Sequence, residues 1–298
     1  MHIQNKLSSL EQEILKDYEC LHKKRSIKLS FLRKYAHANL YVSKKTGSII
    51  PEKIYSNEKN LKEWDRKYKV GEYSSLATHF VSRHLYTIEI ARSKIDLKNK
   101  KIADLGCGGA GLISLLNKFY GVKNIFGFEN SRLMCQMNKK KFKRSNVKFI
   151  NSTIENIDEK KFKNFFDVIF LTWTLGSSAK PTNLLNKIYK ILKKNGYLVI
   201  GESSRILVFP KLSAFYYFNN YNTFLNYPWR FSFNSLRNLL LLFNFKIINK
   251  NRFDINDNLI VVAKKSNQIR YKNYKIDNYK KVIKFLKKWV KASSFLRN

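Results

Sequence analysis

Apolar positions along this chain change period three times, and each change predicts a different kind of element. At the N-terminus, "SSLEQEILKDYECL" places apolar residues at helical spacing behind Ser8 or Ser9 as a cap, and helix is expected across residues 1–35. "NLYVSKKTGSIIPEKIY" alternates around Thr46-Gly47, which predicts a small hairpin. From "NEKNLKEWDRKY" to "YSSLATHFVSRHLYTIEIARSKI" the helical period returns, with Leu76, Phe80, His84, Ile88 and Ala91 on one face.

Beyond Lys100, short apolar runs alternate with amphipathic stretches of ten or so residues. "KKIADL", "VKNIFGFE", "VKFI", "FFDVIFLTW" and "YLVIGE" read as strands. "GLISLLNKFY", "SRLMCQMNKKKF" and "TNLLNKIYKILKK" read as helices between them. Such alternation predicts βαβ units around a parallel sheet. An aromatic, irregular segment follows, then the helix "NSLRNLLLLFNF" and a closing antiparallel pair, "KIINKNRF" and "NLIVVAKK". In the final stretch Tyr279, Val282, Ile283, Leu286 and Val290 share a helical face opposite lysines. A basic amphipathic helix of this kind either packs on its own domain or lies on an anionic membrane.

Composition adds one large fact. The formal net charge is +37, with lysine spread over the whole length. It reflects either a polyanionic partner or a compositional bias toward Lys, Asn and Ile; in both cases the field favours anionic ligands. No run reaches the roughly 18 apolar residues that a membrane span needs. The N-terminus lacks the pattern of a secretory signal. Cys20, Cys107 and Cys135 form no CxxC pair, so a cytoplasmic protein without a disulfide framework is expected.

Four of the 11 glycines fall within six residues of "KIADLGCGGAGLISLL". A strand, a glycine turn and a helix start present backbone N–H groups and a helix dipole to a ligand. The spacing is not that of a nucleoside-triphosphate loop, because no Lys-Ser/Thr follows. Asp104, just before the turn, suits a ligand with positive groups. Glu129 ends the next strand, where a carboxylate accepts hydrogen bonds from a ribose diol.

With these residues in place the chain resembles the class I S-adenosylmethionine-dependent methyltransferases. "ADLGCGGAG" is similar to their first motif and "FGFENS" to their second strand with its acidic end. "VKFINSTIENI", "FDVIFLTWTLGS" and "LLNKIYKILKKNGYLVIGE" resemble the third to fifth strands, over roughly residues 92–265 in all. The resemblance implies a Rossmann-like, seven-stranded, mostly parallel α/β sheet with helices on both faces and the last strand antiparallel. It divides the chain into an N-terminal helical and hairpin extension (1–91) forming part of a substrate lid, a cofactor domain (92–266) and the C-terminal basic helix (267–298). It implies S-adenosyl-L-methionine as cofactor. Asp104, Gly106, Cys107, Gly108 and Gly109 would line its methionine end, and Glu129 would take the ribose. Asn130, Ser152 and Thr153 would flank the adenine, with Ser152 standing where the family commonly has an aspartate. Leu171, Thr172 and Trp173 would flank the sulfonium and the acceptor.

The acceptor side carries less. "LTWTLG" departs from the Asn/Asp-Pro-Pro-aromatic motif of nucleic-acid amine methylases, and no cysteine suits a pyrimidine-C5 methylase. "TWTLGS" resembles the small-molecule branch, in which paired histidines often occupy the places of Gly176 and Ser177. A weaker likeness to sugar-modifying methyltransferases, in "CLHK", "SKKTG" and "FSFNSLRNLL", would keep only Cys20 of four zinc ligands, so no metal is expected. Methyl transfer needs an aligned, dehydrated acceptor. His79, His84 and Glu202 are candidate bases, and Tyr73, Trp173, Tyr227 and Trp229 candidate walls. The expected activity is methyl transfer to a small or carbohydrate-type acceptor, a sugar or nucleotide-sugar among the choices. An RNA-directed methylase using the basic surface and a non-catalytic scaffold are the alternatives.

Overall fold

A computed structural model describes residues 7–19, 25–33, 39–52, 78–203, 206–208, 228–251, 258–269 and 272–295, with isolated positions and pairs between them. Cys20, Tyr73 and Tyr227 and the side chain of His79 lie outside the described residues.

The chain opens with α1 (Ser9–Glu19), β1 (Ser26–Lys28), β2 (Leu40–Ser43), β3 (Ile49–Pro51) and α2 (Thr78–Arg92). Strand β1 corrects the expectation of helix through residue 35. Ser26–Lys28 pair antiparallel with Tyr41–Ser43, so the predicted hairpin of β2 and β3 gains a third strand. Three residues are too few to show a period, and pairing with β2 decides their conformation.

The main sheet comprises β4 (Ile102–Leu105), β5 (Ile125–Glu129), β6 (Lys148–Asn151), β7 (Phe166–Thr172), β8 (Leu192–Ser203), β9 (Phe245–Lys250) and β10 (Asn258–Lys265). Their order across the sheet is β6-β5-β4-β7-β8-β10-β9; β10 alone runs antiparallel to its neighbours. Between the strands lie α3 (Gly111–Ser114), α4 (Arg132–Lys141), α5 (Pro181–Ile191) and α6 (Phe233–Leu242), and α7 (Tyr279–Phe295) follows the sheet. The run "GLISLLNKFY" is not one α-helix: α3 passes into a π-type turn at Leu115–Phe119, closed by Gly121 at φ +66°.

Alternation along each strand sorts its side chains to the two faces. Ile169 and Leu171 of β7 join Leu105, Leu198 and Ile200 under α1, α5 and α6, in a core holding Ile14, Tyr18, Leu185 and Leu239. Val168 and Phe170 face the other way, toward Ile88 and Ala91 of α2 and Ile113 and Leu116 beyond β4. Helix α2 therefore packs directly on the sheet, which fixes the residues at its N-terminal end above the strand ends.

A third core joins the chain's outer segments. Val282, Phe285, Leu286 and Trp289 of α7 pack on Leu40, Val42 and Ile49 of the small sheet, and Ser293 Oγ accepts from the Ala214 amide at 2.7 Å. The apolar face of the basic helix is thus turned to protein, and no membrane contact follows from it. Asp277, just ahead of α7, accepts from the Ser232 hydroxyl and from Asn234 Nδ2 at 2.7 Å, tying this unit to the start of α6. Among the described residues, no helix is long and apolar enough to cross a membrane.

Candidate functional site

Strand β4 is wholly buried and central, so the turn that leaves it emerges at the middle of the sheet's C-terminal edge. Gly106 adopts φ +77° and Gly108 φ +49°, backbone geometry that disfavours a Cβ. Gly106 has a second reason to be glycine: a Cβ there would stand 2.7 Å from Thr174 Oγ1. The amides of Gly106 and Cys107 donate to the Phe128 carbonyl at 2.9 and 3.0 Å, which pins the turn to β5. Asn138 of α4 donates to the Gly108 carbonyl at 2.6 Å. Gly109 completes the turn, and Cys107 is buried in it, its thiol pushed up by burial and by the nearby carboxylates.

Two acidic residues flank this turn. Glu129 is 4% exposed and accepts from the Gly108 amide at 2.8 Å and the Ser131 amide at 2.9 Å. Its pKa lies above the ordinary range because burial outweighs those bonds; the charge of Asp65 adds to the push. Asp104 is 1% exposed, and its Oδ1 has no hydrogen-bond partner. Burial, with the charge of Glu129 behind it, lifts the Asp104 carboxyl to about 7. A buried carboxylate oxygen left unpaired costs about 1–3 kcal/mol or more. A fold that keeps such a group at its central turn is arranged for something cationic or hydrogen-bonding to meet it.

The adenine-side residues assemble around the end of β5. Ser152 donates its amide to the Glu129 carbonyl at 3.0 Å and its hydroxyl to the Thr153 carbonyl at 2.7 Å. The Thr153 hydroxyl caps the following turn by accepting from the Asn156 amide at 3.2 Å. Asn130 is partly exposed, its carbonyl taken by Asn151 Nδ2 at 2.9 Å. At the end of β7, Leu171 points its side chain into the core, Thr172 is buried, and Trp173 turns out at φ +53°.

Of the candidate bases, His79 lies in the first turn of α2 and His84 one and a half turns further. His84 meets Trp173 edge-on at 5.8 Å, and its buried Nδ1 has no hydrogen-bond partner. Burial, then the charge of Arg83, lowers it to about 4, so its imidazole is neutral at pH 7. Glu202 is 3% exposed at the end of β8 and accepts from the Gly176 amide at 3.0 Å. Burial raises it to about 7 against the lowering effect of that bond and of Arg230 and Arg83. A Cβ at Gly176 would lie 3.0 Å from Glu202 Oε2, so the brace from Glu202 occupies the space a side chain would need. Trp229 is a core residue: it donates Nε1 to the Ser178 carbonyl at 2.8 Å and meets the Tyr18 ring at a tilt, centroids 5.3 Å apart. The Asn138 clamp, Thr174 against Gly106, and Arg83 over Trp173 (3.6 Å from guanidinium carbon to ring centroid) carry no motif by which sequence could find them. Among the described residues no group of three or more His, Cys, Asp or Glu side chains could hold a metal ion.

Comparison with known proteins agrees with this geometry. Residues 96–221 match the family model described as "Methyltransferase domain". The chain is 28% identical over 167 residues to the demethylmenaquinone methyltransferase of Geobacillus sp. (strain WCH70), covering 54% of this chain and 67% of that protein. It is 32% identical over 112 residues to the carboxy-S-adenosyl-L-methionine synthase of Campylobacter concisus, covering 37% of this chain. It spans about half (47%) of that synthase's length. In fold it is similar to Burkholderia thailandensis 1,6-didemethyltoxoflavin-N1-methyltransferase, solved with S-adenosylhomocysteine, at a TM-score of 0.55 and 13% identity, covering 74% of this chain and 96% of that one.

Proposed function

From the premise that this chain is built on a class I S-adenosylmethionine-dependent methyltransferase domain, we propose that it methylates a small-molecule acceptor. The unpaired carboxylate of Asp104 beside Glu129, at a glycine turn on the central strand, carries the reading. Asp104 meets the cofactor's ammonium group, Glu129 the ribose hydroxyls, and Asn130 with Ser152 and Thr153 the adenine side. The Ser152 hydroxyl, already donating to Thr153, keeps its lone pairs for an amine donor. S-adenosyl-L-methionine, when bound, supplies an electrophilic methyl group on a sulfonium. The chain's own contribution is to hold the acceptor in line and exclude water.

On the acceptor side, neutral His84 orients the acceptor or takes its proton, and His79 is a second candidate on the same helix. Glu202 acts by holding the turn after β7 through the Gly176 amide. The segment ahead of β4 forms part of the lid. A relative named for demethylmenaquinone supports a small acceptor; a carbohydrate-type acceptor is the narrower reading. Calorimetry of the full chain with S-adenosylhomocysteine tests the cofactor site. Micromolar binding that weakens about 10- to 100-fold in Glu129→Gln is expected, matching 1.4 kcal/mol per tenfold. No binding at high micromolar ligand would end the proposal.

A further inference from the structure

The glycine turn and Glu129 stand at one end of the parallel strands, and the opposite end carries a concentration of positive charge. Residues 92–101, 117–124 and 139–148 lead into β4, β5 and β6, and the register sets Ile102 beside Ile125 and Phe126 beside Lys148. The three segments therefore meet at one edge of the sheet. They hold five, two and six Lys or Arg against a single acid, Asp96, whereas the whole chain holds 58 against 21. All of these bases except Lys100 are exposed. Of them only Arg92 has an ion-pair partner among the described residues, Glu89 at 2.8 Å. An aromatic pair stands in the same surface. Phe119, closing the π-type turn, is 72% exposed, and Tyr120 meets it edge-on at 4.9 Å. Arg92 lies 4.7 Å from the Tyr120 ring centroid, while Lys118 and Lys141 approach the Phe142 ring at 6.0 and 5.8 Å. These contacts join the ends of α2, the π-type turn and α4. Burial, then the charge of Lys118, lowers the Lys141 ammonium, so neighbouring like charges face each other here.

Two properties choose the partner for this face. Eleven of its 13 bases are lysine. Lysine is a compact, hydrated point charge that suits the diffuse field of a charged surface, whereas paired recognition of single phosphates favours the arginine fork. An exposed phenyl ring among lysines gains by leaving water at a headgroup boundary while the ammonium groups stay wet. We propose that the strand-start face docks this protein on an anionic lipid bilayer, its lysines in the headgroup field and Phe119 in the boundary layer. The glycine turn, at the opposite strand ends, then faces solution. Helix α7 takes no part, because its apolar side is already covered by the small sheet. The docking is independent of which acceptor the site takes.

The test is flotation of the full chain with vesicles of phosphatidylcholine, alone or with about 30% phosphatidylglycerol. Partition onto the anionic vesicles only is expected, falling at least tenfold between about 0.1 and about 0.5 M salt. At about fivefold per lysine, the combined change Lys118→Gln, Lys140→Gln and Lys143→Gln should weaken partition about 100-fold. Removing as many charges from α7, by Lys280→Gln, Lys281→Gln and Lys284→Gln, should change it by less than about threefold. Phe119→Ser should weaken it about tenfold with the charge untouched. Melting temperature and S-adenosylhomocysteine affinity should stay at the parent's values in all three variants. No partition onto anionic vesicles, equal partition onto the zwitterionic ones, or equal losses in the two lysine variants would overturn the assignment. So would tighter binding of a short single-stranded RNA than of vesicles, lost in the first lysine variant, which would make the partner a nucleic acid. A parent chain that fails to bind S-adenosylhomocysteine would end the cofactor reading and leave the flotation result standing.

Discussion

Replacing Asp104 with asparagine changes one oxygen to a nitrogen at a fully buried position, and two opposite effects should follow. With its pKa near 7, Asp104 is about 10% ionised at pH 6 and about 90% at pH 8. Ligand-free, the fold prefers the protonated carboxyl; a bound ammonium group prefers the ionised one. Binding must therefore release a proton, and affinity must rise with pH. If only the ionised form binds, the dissociation constant for S-adenosylhomocysteine tightens about tenfold from pH 6 to 8, about 1.4 kcal/mol. In Asp104→Asn that slope disappears, and affinity at pH 8 falls to or below the parent's value at pH 6. Stability moves the other way. A folded pKa of about 7 against an unfolded value of 3.8 means stability is fully present below pH 3.8 and is lost as pH rises through 7. That loss is on the order of 4 kcal/mol above pH 8. The ligand-free variant should therefore melt higher than the parent at pH 8 while showing a smaller shift with ligand. Thermal melts at pH 6 and 8, paired with calorimetry in buffers of different ionisation enthalpy, read both effects. A pH-independent affinity in the parent, or a variant that melts lower at pH 8, would refute the argument.

Two further substitutions probe the frame around the site. Gly106→Ala forces a Cβ to 2.7 Å from Thr174 Oγ1 at φ +77°, and should lower stability by about 1–3 kcal/mol in denaturant melts with loss of ligand binding. Trp289→Ala empties the third core and should cost about 3–5 kcal/mol there, seen as early protease cleavage near the small sheet with the cofactor site intact.

Much of this was readable in the residues before any coordinates. The inner strands β4 and β7 announce themselves as apolar runs, because a strand buried on both faces has nowhere to place polar side chains, whereas the edge strands β6 and β9 keep lysines and asparagines and are legible only from their place in the alternation. The glycine turn and its two carboxylates were visible for a related reason: a charge beside four glycines contradicts any simple packing role. The short strand β1 was not visible, since its conformation comes from β2. Nor was the burial of α7, whose apolar stripe is as suited to a bilayer as to a protein surface until Leu40 and Val42 are seen beneath it. Trp229 illustrates the same limit: an aromatic residue reads alike as a pocket wall and as core. Asn138 is 30 residues from the carbonyl it holds, and Arg83 is 90 from its tryptophan, so both depend wholly on how the chain returns on itself.

The strand order has a consequence for how the molecule is made. Because β10 sits between β8 and β9, β9 has no place in the sheet until residues 258–265 arrive. During synthesis, β8 must therefore wait with its hydrogen-bonding edge open, and that edge includes the buried apolar run Leu198–Ile200. Any chain stalled or cut between residues 203 and 258 would display it to its neighbours, so this late insertion is where nascent molecules most need protection from one another.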